Sequence, residues 1–278
     1  MHQVFSAIAE QPTRTVAGFL LALLVTLAAG RAHSLTNSGI VASTVVGGSV
    51  VAGAGWWPGV ILVLYFVSSS GLSSLTRATR EPSEQARGKE RDAWQVLANG
   101  GVAAAFALAS LLVDHPGPLI VAALGSISGA AADTWATELG RFSRSHPRLL
   151  TTGQRVPPGT SGAISGTGTL ASIAAAVCIG LLASVAASPA SGLSGVEVGI
   201  VVASAGMLGS LTDSLLGATV QKRRWCPSCH KPTEQRVHRC GSVTAHTGGL
   251  RWITNDVVNC LAVLVAGTSA ALGATMLG

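Results

Sequence analysis

The sequence predicts an all-α polytopic integral membrane helix bundle, and three features of its 278 residues support this class. Only 11% of the residues are charged and 48% are hydrophobic, with a mean hydropathy of +0.50, whereas about a quarter of the residues of an average soluble domain are charged. The 34 glycines and an aromatic content of 4% are typical of closely packed membrane helices. Apolar stretches of about 20 residues, enough to cross a bilayer, recur along the chain. This composition argues against a soluble globule, a disordered chain and a disulfide-stapled secreted domain.

Eight apolar segments organise residues 1–278 as a single membrane domain. The second, fifth and seventh segments are rich in Gly, Ser and Thr, which suits helices in the interior of a bundle. The first segment lacks a charged n-region and a cleavage site, so we expect it to be retained rather than removed as a signal peptide. The predicted helices are 14–31, 36–54, 57–75, 94–113, 117–138, 160–187, 196–219 and 252–276.

The basic residues predict the orientation of this bundle. With eight helices, Arg31 and the loops 77–91, 141–155 and 222–251 fall on one side and hold 17 of the 18 Lys and Arg residues, which leaves only Arg14 opposite. Cytoplasmic loops carry the Lys/Arg excess, so we expect both termini outside and the protein in the plasma (inner) membrane of a prokaryote. The net charge of +6 then faces anionic headgroups and nucleotide and does not indicate nucleic-acid binding.

Four carboxylates lie inside the apolar segments, all near the predicted cytoplasmic end. Ionisable groups at membrane depth are costly and are functional candidates by default. Carboxylates beside amides and hydroxyls are hard-oxygen ligands for Mg²⁺ and, through it, for phosphates. The alternative is that these groups only hydrogen-bond between helices and hold the bundle together. The candidate catalytic and Mg²⁺-binding residues are Asp133, Glu138, Asp213 and Asp256, and the nearby amides that would orient phosphate are Asn99, Asn255 and Asn259.

Two of the acids share a local pattern, Gly-x-x-x-Asp-(Ser/Thr), at 129–134 and 209–214. In each copy the glycine lies one helical turn before the aspartate and opens space around it. The hydroxyl residues Thr134 and Ser214 follow the acids and are predicted to bind substrate phosphate. Such short matches also arise by chance in a glycine-rich chain, so the pattern alone is weak evidence of an internal repeat.

The segment 156–165 is predicted to open the sixth helix, where free backbone N–H groups and the helix dipole favour an anion. The alternative is an N-cap that follows a proline turn. The chain has no G-x-x-x-x-G-K-(S/T) motif and therefore no Walker P-loop, so positive charge for phosphates would come from loop arginines. The candidate phosphate-binding residues are Gly159, Thr160, Ser161 and Gly162, with Arg141 and Arg155 nearby.

A cytoplasmic loop at 221–250 carries three of the five cysteines. Cys226 and Cys229 form a C-x₂-C pair, and His238 and Cys240 follow as H-x-C. These four N/S ligands are enough for a closed, tetrahedral structural zinc site, and the reducing cytosol disfavours disulfides. We expect the metal to fold the loop, since four protein ligands leave no open position for catalysis.

Alternatives for the cysteines stay open at this point. His230 and His246 also lie in the loop and are possible fourth ligands, and a redox C-x-x-C is possible although no thioredoxin-like context is present. Cys178 and Cys260 lie in apolar helices, where we expect buried inert thiols.

Five motifs occur in one order: QVLANGG at 95–101, ADTWATELG at 132–140, PGTSG at 158–162, DSLLGA at 213–218 and NDVVN at 255–259. They resemble the motifs of the membrane family that contains plant phytyl-phosphate kinase and animal transmembrane protein 19. The likeness runs from about residue 35 to 265. It implies an enzyme, a phosphotransferase that converts an isoprenoid monophosphate to its diphosphate with a nucleoside triphosphate. Likeness to polyprenol and dolichol kinases favours CTP as the donor.

Two other functions stay open. A CTP-dependent lipid cytidylyltransferase would release pyrophosphate and would need the same carboxylates and Mg²⁺. A transporter for a small anion or lipid would use interrupted helices, but its site would lie near the bilayer midplane, whereas the polar residues here gather near one face. The expected partners are the lipid bilayer, an isoprenoid monophosphate and a nucleoside triphosphate.

Overall fold

The computed structural model describes residues 12–79, 90–186 and 192–278. In these ranges, eight helices are long and apolar enough to span a membrane, which confirms the predicted number. Apolar segments in a bilayer form helices because each helix satisfies its own backbone hydrogen bonds. The helices are α1 (Pro12–Arg31), α2 (Asn37–Ala54), α3 (Trp56–Thr79), α4 (Ala93–Leu112), α5 (Gly117–Gly140), α6 (Gly166–Val185), α7 (Gly195–Thr219) and α8 (Asn255–Leu277).

Hydroxyl side chains fix the starts of four of these helices. Thr36, Ser165, Ser194 and Thr254 each accept a hydrogen bond from the backbone N–H three residues later, which is the usual geometry of an N-cap. The cap on α6 corrects one prediction: this helix begins at Gly166 rather than at residue 160, and the residues before it form a turn and a short strand.

The centre of the bundle is α5, which packs against α3, α4, α6, α7 and α8. Its residues 121–132 are buried without interruption, and most of them are Ala, Gly or Ser. Small side chains of this kind let neighbouring helix backbones approach closely. The long axis of α5 therefore defines the core, and polar groups at its end are held by several helices at once.

Two small antiparallel sheets lie in the loops and were not predicted from the sequence. Strands β1 (Arg148–Leu149) and β2 (Ala163–Ile164) pair between α5 and α6. Between α7 and α8, β3 (Arg223–Cys226), β4 (Lys231–Thr233) and β5 (Ala245–Gly248) form a sheet in the order β4-β3-β5. We call residues 222–251, which include this sheet and the Cys/His cluster, the Cys/His arm.

The connections that carry most of the basic residues lie at one end of the bundle, here called the basic end. The loops after α1 and α3 meet where Thr36 N–H donates to Arg91 O (3.1 Å). The ends of α3 and α5 meet where Ser73 donates to Glu138 (2.6 Å). The loops after α5 and α7 meet at a hydrogen bond from Gln221 (3.2 Å) to Ser161.

The opposite end holds Arg14, whose guanidinium donates to Ala52 O near the end of α2 (2.6 Å). The predicted sidedness of the basic residues therefore matches the two ends of the bundle. Arg80, Arg87 and Lys89, which were counted in this pattern, lie outside the described residues.

Candidate active site and metal centre

The two Gly-x-x-x-Asp segments pack against each other at the basic end. A Cβ on Gly129 would lie 2.8 Å from the Cβ of Ala266, so only glycine allows α5 and α8 to come this close. One turn further along, the carboxyl groups of Asp133 on α5 and Asp213 on α7 are in hydrogen-bond contact. The repeated spacing thus brings two half-buried carboxyls together from two helices.

Asn259 on α8 joins this pair. With its amide oriented to satisfy both partners, its NH₂ group donates to Asp213 Oδ1 (3.0 Å) and to the backbone O of Asn255 (3.3 Å). A hydrogen bond of this kind fixes the orientation of a carboxylate, as outer partners do for metal ligands. Three helices therefore meet at the Asp133–Asp213 pair.

The donor set at the pair fits a hard divalent cation. Two adjacent carboxylates repel each other when both are ionised, and a cation between them removes this repulsion. Carboxylate and amide oxygens are the ligands that Mg²⁺ takes in proteins, usually one or two carboxylates with waters and phosphates in the other positions. The chemistry of Asp133 and Asp213 therefore fits the predicted Mg²⁺.

Gln221 connects this region to three other parts of the chain and was missed by sequence reasoning. Its side chain is only 3% exposed, and its amide Nε2 donates to Ser161 Oγ (3.2 Å), Glu234 Oε1 (3.1 Å) and Asn255 Oδ1 (3.5 Å). Its position two residues after α7, directly beyond the DSLLGA motif, was the signal that could have indicated it.

Glu234, an acidic residue of the Cys/His arm, was also missed. It follows β4, is half-buried, and lies close enough to Asp213 for the two charges to interact. Nothing in the local sequence distinguishes it, because the fold of the Cys/His arm brings it to the bundle.

Glu138 faces α3 instead of α7. Its carboxylate accepts hydrogen bonds from Ser73 Oγ (2.6 Å) and Thr76 Oγ1, and Arg141 Nη1 lies 3.6 Å away. Five residues separate Asp133 from Glu138, which corresponds to about 140° around the helix. The two acids therefore lie on different faces of α5.

Several other predicted residues have well-defined surroundings. Asn99 lies in a π-helical stretch of α4, Leu97–Gly101, and donates to Gln95 O (2.9 Å). Such stretches often occur at functional sites, and α8 packs against this one. Thr134 donates to Ala130 O (2.8 Å), and Ser214 is half-buried beside Asp213.

Asp256 occupies the first turn of α8. A negative charge at that position interacts favourably with the helix dipole. Its placement therefore has a local electrostatic reason, whatever else it binds.

The segment 158–162 is a tight turn, and the prediction that it opens α6 is wrong. Thr160 donates from both its N–H (3.2 Å) and its hydroxyl (2.8 Å) to Pro157 O. Gly159 and Gly162 have φ values of +86° and +74°, which end regular structure and favour glycine. Ser165 caps the helix instead, so the helix-dipole argument does not apply to Thr160 and Ser161.

This turn packs on the end of α7. A Cβ on Gly162 would overlap the backbone N of Ala218. The PGTSG and DSLLGA motifs are therefore in contact, and Ser161 reaches Gln221 next to them. Arg155, predicted to bind phosphate, is exposed in the same loop, where its backbone pairs with that of Arg148.

The four predicted zinc ligands converge in the Cys/His arm. Ligand atoms of Cys226, Cys229, His238 and Cys240 all lie within 4.8 Å of one another. Nδ1 of His238 is 3.2 Å from Cys240 Sγ, and the Sγ atoms of Cys226 and Cys240 are 3.6 Å apart. Three thiols and one imidazole are a donor set suited to tetrahedral zinc.

The same arrangement decides between the histidines. His230 and His246 are exposed and lie outside this group, so His238 is the fourth member. Cys178, predicted to be buried, is instead exposed on the outer face of α6, and Cys260 is half-buried on α8. An apolar helix face directed away from the bundle explains this, because lipid rather than protein would cover it.

The thiols of the cluster differ in acidity. Hydrogen bonds from Ser242 and His238 lower the pKa of Cys240 to about 5. Hydrogen bonding to Cys240, together with burial, raises the pKa of Cys229 to about 11. Without a metal, Cys240 is therefore a thiolate at neutral pH, which is a suitable starting point for a cation.

Fold and site together define an integral membrane protein with a polar site at one end of its bundle and, in the loop between α7 and α8, a Cys/His cluster that could hold a metal ion. A family model described as "Integral membrane protein DUF92" matches residues 20–267. The chain belongs to this family, as its motifs predicted.

Three relatives match along most of the chain. Protein PGR of Arabidopsis thaliana is 30% identical over 91% of this chain and 93% of its own length. Membrane protein MJ0933 of Methanocaldococcus jannaschii is 27% identical over 77% of this chain and 86% of its own length. Membrane protein sll0875 of a Synechocystis strain is 28% identical over 87% of this chain and 82% of its own length. No solved structure matches the chain significantly.

Proposed function

We propose that this protein is a membrane-embedded phosphotransferase that transfers a phosphoryl group from a nucleoside triphosphate, with CTP favoured, to an isoprenoid monophosphate. The observation that carries the proposal is the Asp133–Asp213 pair, oriented by Asn259 at the basic end. The motif resemblance to the family of plant phytyl-phosphate kinase supports the same reaction.

The site's depth suits a lipid phosphate. Such a substrate keeps its phosphate at headgroup level and its chain in the bilayer, while the nucleotide arrives from water. Asp133 and Asp213 lie near the ends of spanning helices, next to basic loops. A transporter would instead place its site near the midplane, so this position favours an interfacial enzyme.

Each residue of the site has a role in this proposal. Asp133 and Asp213 would hold Mg²⁺, whose charge would neutralise that of the phosphates, since phosphoryl transfer depends mainly on positioning and electrostatics. Asn259 orients Asp213, and Ser161 and Asn255 position phosphate oxygens. Further candidates for phosphate contact are Asn99, Thr134, Arg141, Arg155, Gly159, Thr160, Gly162 and Ser214, and Glu138 and Asp256 are candidate further carboxylates.

The acceptor needs no general base in this reaction. A phosphate monoester is already ionised near neutral pH, since its second pKa is about 6. Its oxygen can attack the γ-phosphorus of CTP directly, while the bond from that phosphorus to the β–γ bridging oxygen breaks and CDP leaves. The protein's task is therefore to align two anions that repel each other.

The decisive assay incubates purified protein with Mg²⁺, CTP labelled at the γ-phosphate, and farnesyl, geranylgeranyl or phytyl phosphate. Label in a lipid diphosphate is the expected result. Label released as pyrophosphate would instead identify a cytidylyltransferase. Absence of nucleotide turnover, together with uptake of label into liposomes, would contradict the proposal and favour a transporter.

We also propose that the Cys/His cluster binds a structural Zn²⁺ that folds the arm. Elemental analysis is expected to find zinc in the wild-type protein and little in the Cys226→Ser/Cys229→Ser variant. The matched control is Cys178→Ser, whose thiol lies on α6 away from the cluster. Equal zinc in all three proteins would refute the assignment.

The proposed orientation places the basic end in the cytoplasm and both termini outside. In a bacterial host, alkaline phosphatase fused after Gly278 is expected to be active, and a fluorescent protein fused there to be dark. The reverse pattern would invert the topology and place the site outside.

A further inference from the structure

The Cys/His arm touches the membrane site at one buried amide. The Nε2 atom of Gln221 donates to Glu234 in the arm (3.1 Å), and the same atom lies 3.5 Å from Asn255 at the start of α8. It also donates to Ser161 in the turn after α5 (3.2 Å). A side chain that is 3% exposed and contacts three separate segments fixes their relative positions, because displacing it would leave a buried amide without its partners.

The backbone around Glu234 is held by the sheet of the arm. Thr244 Oγ1 donates to Gln235 O (2.6 Å) and Arg236 O (3.0 Å), and it accepts from Arg224 Nε (2.7 Å). Thr233, the residue before Glu234, is buried. The arm therefore presents Glu234 from a fixed backbone rather than from a free loop end.

The base of the arm is also closed against the bundle. Lys222 N–H donates to Ile253 O (2.7 Å), and Leu250 N–H donates to Val220 O (2.9 Å). These two hydrogen bonds join the end of α7 to the segment that precedes α8. Because α7 carries Asp213 and α8 carries Asn259, the arm grows from the two helices whose side chains meet at the site.

We infer that Glu234 is a positioning residue of the Asp133–Asp213 site, delivered by the Cys/His arm and held there through the Gln221 amide. Its charge is close enough to interact with Asp213, and its negative field adds to that of the pair. Glu234 acts on a cation at the Asp133–Asp213 pair through its charge and through its contact with Gln221, and it is not itself a ligand of that cation. This inference rests on the proposed function, because it assumes that a divalent cation binds at Asp133 and Asp213.

The arm therefore does more than fold itself. Cys226 and Cys229 lie on the β3–β4 side of the sheet, and β4 leads directly into Glu234. A metal at the cluster would fix this hairpin, and the hairpin fixes the backbone that carries the carboxylate of Glu234. Metal occupancy of the arm and cation binding at the Asp133–Asp213 pair are therefore linked through the β3–β4 hairpin and Glu234.

The test measures Mn²⁺ binding to the full-length protein in detergent, without nucleotide or lipid. Glu234→Gln removes the charge, and Gln221→Met removes the amide but keeps the length of the side chain. Each is expected to weaken Mn²⁺ binding about tenfold, the lower end of the effect of removing partners of metal ligands. The Mn²⁺ dissociation constant of the double variant is expected to lie within about threefold of that of the single variant that binds Mn²⁺ more weakly. Both substitutions act through the contact between Gln221 and Glu234. Glu90→Gln, which removes another carboxylate of the basic end, is the matched control and is expected to bind Mn²⁺ as the wild type does.

Zinc content and elution volume are measured for every variant, so that loss of folding is recognised. In the kinase assay, Glu234→Gln is expected to raise the KM for Mg²⁺ while kcat at saturating Mg²⁺ stays within about twofold. A misfolded fraction would lower kcat and leave this KM unchanged, and that result would overturn the inference.

The outcomes separate the inference from the proposed function. If the wild-type protein shows kinase turnover and Glu234→Gln binds Mn²⁺ as tightly as the wild type, the inference is overturned and the kinase proposal stays intact. Weakened Mn²⁺ binding in both single variants, without kinase turnover in the wild type, would support the inference and refute the kinase. Absence of Mn²⁺ binding to the wild type would overturn the inference itself.

Discussion

Gly209 on α7 and Gly129 on α5 meet backbone to backbone: a Cβ built on Gly209 would lie 3.1 Å from the Gly129 Cα and 2.9 Å from the Ala266 Cβ. This contact sets the separation of the two helices one turn before Asp133 and Asp213. Glycine is required here for space, since α helices impose no positive φ. The distance between the two carboxyls thus depends on the absence of two side chains.

The substitution Gly209→Ala is expected to force α7 away from α5 and α8. Overpacking of a tight contact costs about 1–3 kcal/mol, which a thermal unfolding series in detergent would measure, and turnover should fall with it. Gly71→Ala on α3 is the control, because a Cβ there meets nothing within 4 Å. Equal stability of the two variants would contradict the packing argument.

Asp133→Asn and Asp213→Asn are each expected to reduce kinase turnover by roughly a hundredfold or more, the size of effect seen when a key electrostatic group is removed. The amides keep the shape of the side chains, so the variants should still fold. Asp114→Asn, an exposed acid at the opposite end, is expected to be fully active. Retained activity in both site variants would refute the Mg²⁺ assignment.

Gly162→Ala tests the contact between the turn and α7. Both a positive φ of +74° and overlap with Ala218 oppose a side chain at this position. Gly153→Ala has a similar φ of +67° but nothing within 4 Å, so it measures the backbone cost alone, about 1–2 kcal/mol. Denaturation in detergent should show a clearly larger loss for Gly162→Ala. If the two losses are the same, the turn does not depend on its packing against α7.

Cysteine alkylation after removal of metal tests the acidity of the cluster. Because the pKa of Cys240 is lowered to about 5, it should be thiolate throughout pH 6–9, and its labelling rate should be nearly independent of pH. Because the pKa of Cys229 is raised to about 11, its rate should rise with pH in the same range. Mass spectrometry of maleimide-labelled peptides gives both rates, and faster labelling of Cys229 at pH 7 would contradict the prediction. Added zinc should protect both thiols.

Much of the fold follows from composition and spacing. Apolar length gives the eight helices, because the bilayer requires internal backbone hydrogen bonding whatever the tertiary contacts. The Gly-to-Asp spacing at 129–134 and 209–214 indicated open space beside each acid, and the structure places these two segments against each other. The Cys/His spacing likewise predicted a cluster whose ligand atoms converge.

Other features depend on contacts between distant segments and leave no local pattern. Glu138 has the same chemistry as Asp133, but its helical phase turns it to Ser73 and Thr76. Glu234 reaches the bundle only through the pairing of β3 with β4 and β5. The start of α6 was misplaced because positive φ at Gly159 and Gly162 is a property of the turn that composition does not reveal.

The two hydrogen bonds at the base of the Cys/His arm, from Lys222 to Ile253 and from Leu250 to Val220, have a consequence for how the molecule opens. They isolate the arm as a small cooperative unit that can unfold locally while the eight helices stay packed. Loss of zinc would then make this local, reversible unfolding more frequent. It would leave an intact bundle in the bilayer whose site has been deprived of Glu234.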